Sequence, residues 1–158
     1  MVFAITNARE YREKVEEDLT ELASDIANSS RAINAATSVY HLHEWLWTHT
    51  LKPKKPVTLG SSTIKNYDEL VKWLDDNCPH FTLIQELANG SKHAYPVVSG
   101  RKVEGYGQGP WGIGPYNAPY LLLDLGGNKA PANRYLVASD VIQDAGVFMV
   151  KFAKSQGA

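Results

Sequence analysis

From Ala8 onward, Tyr11, Val15, Leu19, Leu22 and Ile26 recur at intervals of four, four, three and four, laying one apolar stripe along a helix. Glu10, Glu13, Glu16, Glu17, Asp18 and Glu21 crowd this segment and form its solvated side. A helix over 8–27 follows, and its stripe needs other elements to cover it. Asn28, Ser29 and Ser30 suit an N-cap better than a helix interior, so the chain breaks there and restarts over 31–50. In that second helix Ala32, Ala35, Ala36, Val39, Leu42 and Leu46 share a face, and Tyr40, Trp45 and Trp47 widen it, which predicts a central position.

Pro53 and Pro56 stop the second helix, and a loop is expected to about Lys65. Asn66-Tyr67-Asp68-Glu69 reads as a capping box with Asn at its head, opening a third helix over 67–77. Pro79 suits the first position of a fourth helix, taken to run through Gly90 to His93. Beyond Pro96 the pattern turns to β: Val97, Val98 and Val103, then Tyr120 to Leu125 and Arg134 to Ala138, give a hairpin or small antiparallel sheet within 97–138. Gly105 to Pro119, with five glycines and three prolines, is too irregular for a regular element and reads as a loop. Ser139 is expected to cap a last helix over 140–155. The fold class is mainly α: one domain over 1–158, a bundle of about five helices with the β region inserted before the last.

The chain's 158 residues, 44% of them hydrophobic, suffice for one core without disulfides or metals. Sixteen basic and seventeen acidic residues leave a net charge of −1, so any nucleic-acid contact must be local. The short run Lys52, Lys54, Lys55 is a solvated linker. Cys78 is the single cysteine, which precludes an intrachain disulfide and suits a reducing cytoplasm. The N-terminal residues show no basic leader region and no window approaches a membrane span, so neither export nor a membrane partner is expected.

Five histidines, His41, His43, His49, His80 and His93, are the first candidates for chemistry. His41 and His49 share a helical side but lie about 12 Å apart, too far for one metal. With no His-Glu-x-x-His pair or cysteine cluster, neither a metal nor another cofactor is expected. Gly107, Gly109 and Gly112 match Gly-x-Gly-x-x-Gly, but prolines follow where a dinucleotide site needs a helix, so a surface loop is the better reading. Trp111 and Tyr116 on that loop are candidate substrate contacts, because exposed rings stack on bases or other flat ligands; folding back as local packing is the alternative.

The segment Glu86 to His93 follows an apolar run with polar and titratable groups. On a continuing helix Asn89 and His93 share a face, and such a histidine can exchange protons with a 2′-hydroxyl and a leaving oxygen while Asn89 and Lys92 hold the phosphate. The alternative is a plain helix end, where Lys92 and His93 favour the dipole.

Helix order, the second-helix run Ala35-Ala-Thr-Ser-Val-Tyr-His-Leu-His-Glu-Trp-Leu46 and the segment Leu87 to His93 together resemble the HEPN superfamily of helical-bundle domains, over Arg9 to about Tyr95. The resemblance implies a dimeric domain of bacterial stress or defence systems that binds RNA or nucleotide, and in active members a metal-independent endoribonuclease. It assigns His93 as the catalytic histidine and Asn89 as the polar residue before it. The arginine of active members is missing: Ala88 stands before Asn89, and Lys92 is the nearest cation in the segment, so the site reads as degenerate unless Arg31 or Arg134 takes the arginine's place. Two other readings stand beside this one: a non-catalytic, dimerising interaction module, and a small-ligand domain that uses the glycine-rich loop.

Overall fold

The computed structural model describes residues 4–90, 99–105, 107–127 and 131–158. Helix α1 (Ala8–Ser24) begins where Asn7 accepts a hydrogen bond from the Glu10 amide, and the Glu10 carboxylate in turn accepts from Thr6. It ends earlier than its stripe suggests, because Asp25 starts a turn whose carbonyl accepts from the Asn28 amide. Ile26 leaves the bundle to pack on the cluster around Tyr120. Asn28 then caps α2 (Ser29–Leu46), which opens at Ser29 rather than Arg31. A π turn (Trp47–Leu51) and a 3-10 turn (Lys52–Lys54) complete α2, and Lys52 to Pro56 are all exposed.

The segment expected to be a loop is a hairpin, β1 (Val57–Leu59) with β2 (Ser62–Ile64). Gly60-Ser61 makes its two-residue turn, and Leu59 and Ile64 drop into the core. The capping reading holds for α3 (Tyr67–Asn77): Asn66 accepts from the Glu69 amide, and the Glu69 carboxylate accepts from Lys65. Helix α4 (Phe81–Gly90) starts two residues after Pro79, because His80 adopts a left-handed φ of 59° and cannot continue a helix from the proline. Gly90 is its last described residue, and the expected continuation to His93 lies outside the described residues.

Three antiparallel strands follow in spatial order: β3 (Ser99–Val103), β4 (Tyr120–Asp124) and β5 (Tyr135–Val137), the last preceded by a one-turn helix, α5 (Pro131–Arg134). Helix α6 (Ala138–Ser155) closes the fold. Ser139 does not cap it; Val137 holds the cap position without a side-chain bond, and Ser139 is buried in the first turn.

Helices α1, α2, α4 and α6 pack around Leu22, Leu42, Leu46, Ile84, Ile142 and Met149, with Leu70 and Leu74 of α3 closing one side. Each such side chain contributes about 1.5–3 kcal/mol by leaving water. The three-stranded sheet divides the molecule. Leu121, Leu123 and Leu136 face this helical core, whereas Val103, Tyr120, Leu122 and Val137 alternate to the other face and form a second, smaller cluster.

Candidate binding surface on the glycine-rich loop

Tyr120 organises the loop from Gly105 to Pro119. Its ring is buried, its hydroxyl donates to the Ile113 carbonyl at 2.8 Å, and the loop backbone wraps it. A Cβ placed on Gly109 would lie 2.2 Å from the Tyr120 hydroxyl oxygen, and one on Gly114 would lie 2.5 Å from the ring. Those glycines therefore let main chain pack directly on an aromatic side chain, and Gly114 also takes a φ of 76° that costs other residues about 1 kcal/mol. Of the Gly-x-Gly-x-x-Gly match only Gly109 meets Tyr120, Gly107 and Gly112 take positive φ in open space, and no helix follows.

The start of the loop is tied to β3. Gln108 donates its amide to the Gly105 carbonyl, accepts from the Glu104 amide through its side chain, and accepts from the Arg101 guanidinium through its carbonyl at 2.8 Å. A turn from Pro110 to Ile113 puts Trp111 at its tip. Trp111 is 90% exposed and Tyr116 70% exposed, an arrangement that holds two large rings in water on a backbone fixed from behind. Neither folds back to bury itself, and an open concavity of about 370 Å³ runs between Trp111, Tyr116 and Tyr120.

The other expected site residues are not brought to this surface. Asn89 lies half-buried in the last turn of α4, and no α4 residue lines the loop concavity. Lys92 and His93 lie outside the described residues. Ala88, directly before Asn89, is fully buried. Arg31 donates to the Glu21 carbonyl and the Ser24 hydroxyl, holding the α1–α2 turn. Arg134 makes a two-pronged bond to Asp124 at 2.8 and 2.9 Å, and that hydrogen-bonded guanidinium pulls the Asp124 carboxyl down to about 2. Both arginines are engaged in local structure.

Among the described histidines His41 lies 3.1 Å from the Glu44 carboxylate and His80 3.8 Å from that of Asp144, whereas His43 and His49 pack against aromatic rings. His43 is fully buried between Tyr40, Tyr67 and Phe81; its Nδ1–H donates to the Tyr40 carbonyl and its Nε2 accepts from the Tyr67 hydroxyl at 2.7 Å. Both ring nitrogens have partners, and burial, which penalises the charged form, pushes the imidazole below its ordinary value. Desolvation drives the Tyr67 hydroxyl up to about 12, so it stays a donor and does not serve as a base. His49 stacks on Trp45, which stacks on Tyr11. Among the described residues no three metal-ligating side chains converge. Cys78 is buried, with its thiol raised to about 12, so it is unreactive. No helix of the described residues is long and apolar enough to cross a membrane.

The sequence offers Trp111 and Tyr116 as candidate contacts but gives no role to Tyr120, on which the loop packs through Gly109, Ile113 and Gly114. Its signal was present: an aromatic residue directly after a glycine-rich loop and at the head of an apolar run. No family model matches this chain, and no curated protein or solved structure is significantly similar to it.

Proposed function

We propose that this chain is an HEPN-like nucleic-acid-binding domain that takes single-stranded RNA on the glycine-rich loop and holds it without cutting it. The observation that carries the reading is the display of Trp111 and Tyr116 to solvent on a loop braced by Tyr120. Every base has a flat face, so two rings fixed in this way favour unpaired bases over a duplex, whose bases are already stacked. Arg101 stands beside the loop with one guanidinium nitrogen committed to Gln108, and its remaining N–H groups suit a phosphate. Against cleavage stand the buried Ala88 in place of an arginine and the engagement of Arg31 and Arg134 elsewhere.

The test is a titration of the purified chain with a fluorescent uridine-rich oligoribonucleotide in EDTA, beside Trp111→Ala and His93→Ala. Stacking contributes about 1–3 kcal/mol per base, so Trp111→Ala weakens binding by about fivefold or more while His93→Ala leaves it unchanged. With so few cations at the surface, affinity falls only shallowly with salt, by a log–log slope near −0.7 for each phosphate contacted. Equal binding by wild type and Trp111→Ala overturns the reading. RNA cleavage that His93→Ala abolishes overturns its non-catalytic half.

A further inference from the structure

On the helix-facing side of the sheet, strand β3 borders a groove of about 280 Å³. One wall is the first half of α2, where Ala32 and Ala36 keep the space open and Ile33 stands at the rim with 46% of its surface in water. Leu87 of α4 contributes apolar surface, and Leu121, Leu123, Ala138 and Ile142 complete the apolar lining. The other wall is β3 itself, where Gly100 offers bare backbone. The groove is apolar within; of its two charged lining residues Arg101 turns its guanidinium to Gln108 on the other face, so Lys102 supplies the cation at the rim, and no carboxylate lines the groove among the described residues.

Strand β3 is an edge. It pairs with β4 on one side, and among the described residues nothing pairs with it on the other. Alternate residues of Ser99–Val103 therefore turn their N–H and C=O groups outward, a ready template for one more strand. Residues 99 to 102 are all exposed. The register sets Lys102 opposite Leu121 and Gly100 opposite Leu123, so both lie on the groove side. Among the described residues the Lys102 ammonium pairs with Glu104, at 3.1 Å and with both side chains about half exposed or more, a contact that exchanges readily for a better anion.

We propose that this edge and groove form a docking site for an extended acidic peptide of a partner protein, which adds to the sheet beside β3 and seats one apolar side chain against Ile33 and Leu87. Main-chain bonds to the strand give such a complex its affinity, and the pocket together with Lys102 selects the sequence. Lys102 at the rim favours a peptide with a carboxylate beside the apolar residue. The site lies on the face of the sheet opposite Tyr120 and its loop, so it stands or falls independently of RNA binding.

The experiment titrates the full chain with fluorescein-labelled acetyl-Glu-Val-Glu-Ile-Glu-Val-Glu-amide, beside the same peptide with lysine at every glutamate, by anisotropy and by amide exchange at residues 99–103. The acidic peptide binds and slows exchange on alternate β3 amides, while the lysine peptide does not bind. Lys102→Glu weakens the acidic peptide by about tenfold and admits the lysine peptide, as expected for a charge at the contact. Ile33→Asp, at an exposed position that leaves the melting temperature unchanged, lowers affinity for the acidic peptide, and Trp111→Ala does not. Equal binding of both peptides overturns the proposal, as does indifference to both Lys102→Glu and Ile33→Asp. Protection of the outer β3 amides before any peptide is added also overturns it, because the edge would then already be occupied.

Discussion

Strand β4 carries two kinds of burial on its two faces. Leu121 and Leu123 face helices and are covered by aliphatic side chains, whereas Tyr120, one residue away on the other face, is covered by the backbone of a glycine-rich loop. On the helix face many partners share the contact, and a lost methyl group is felt throughout the core. On the loop face a single ring and a single hydroxyl organise a dozen residues, so the structure there depends on a few exact fits. The first kind of packing sets global stability, and the second sets the pose of two exposed aromatics.

That contrast breaks first at the helix face. Leu123→Ala is expected to cost about 3 kcal/mol and to lower the whole unfolding curve, so that circular dichroism and tryptophan fluorescence move together in denaturant. Divergence of the two signals would mean that the sheet and bundle do not share one core.

The next effect belongs to the loop. Gly114→Ala combines a left-handed φ with a Cβ inside the Tyr120 ring and is expected to cost about 2–3 kcal/mol, whereas Gly107→Ala, with the same sign of φ but open space around it, costs about 1 kcal/mol. Differential scanning calorimetry of the pair sharpens the comparison. Equal costs would show that conformation alone, and not contact with Tyr120, demands these glycines.

Tyr67→Phe leaves the His43 Nε2 buried without its donor and is expected to cost about 1 kcal/mol. The folded His43 value lies below 6.5, so below that pH the unfolded chain takes up a proton that the folded chain refuses. This stability is therefore present above about pH 6.5 and lost as pH falls through the folded value. Wild-type melting temperature should drop between about pH 7.5 and 5.5, and replacing His43 with Gln should flatten that slope. A slope unchanged in His43→Gln would assign the acid sensitivity to other groups.

The smallest effect on stability accompanies a large one on binding. Trp111→Ala, at a residue 90% exposed, should shift stability by less than about 0.5 kcal/mol while weakening RNA binding. A marked loss of stability would place Trp111 in the fold and not at a binding surface.

Local patterns carried much of this fold. The stripe from Tyr11 to Leu22, the Asn66–Glu69 cap and the apolar runs of β4 and β5 each name an element, because helix and strand periods and capping bonds act over a few neighbouring residues. The same stripe logic applies to His43, which sits between Val39 and Leu46 on the buried face of α2, although attention to spacing between histidines drew the eye to His41 and His49. The hairpin at Val57–Ile64 also had its signal, two short β-prone runs around Gly60-Ser61, hidden by the prolines before it.

Tertiary structure decided the rest. His80 in a left-handed conformation delayed α4, and sheet packing placed Val137 where Ser139 was expected to cap α6. The choice between a nucleotide-binding loop and a glycine cradle could not be read from Gly107, Gly109 and Gly112 alone, since both need bare backbone. What separates them is the presence of Tyr120 against Gly109 and Gly114, a contact between main chain and a ring that no periodicity encodes. The sequence by itself determined the elements and their apolar faces, because those follow from neighbours along the chain. Only the tertiary structure decided which glycines enclose a ring, which aromatics remain in water and which strand stands at the edge, because those depend on residues that meet only once the chain has folded.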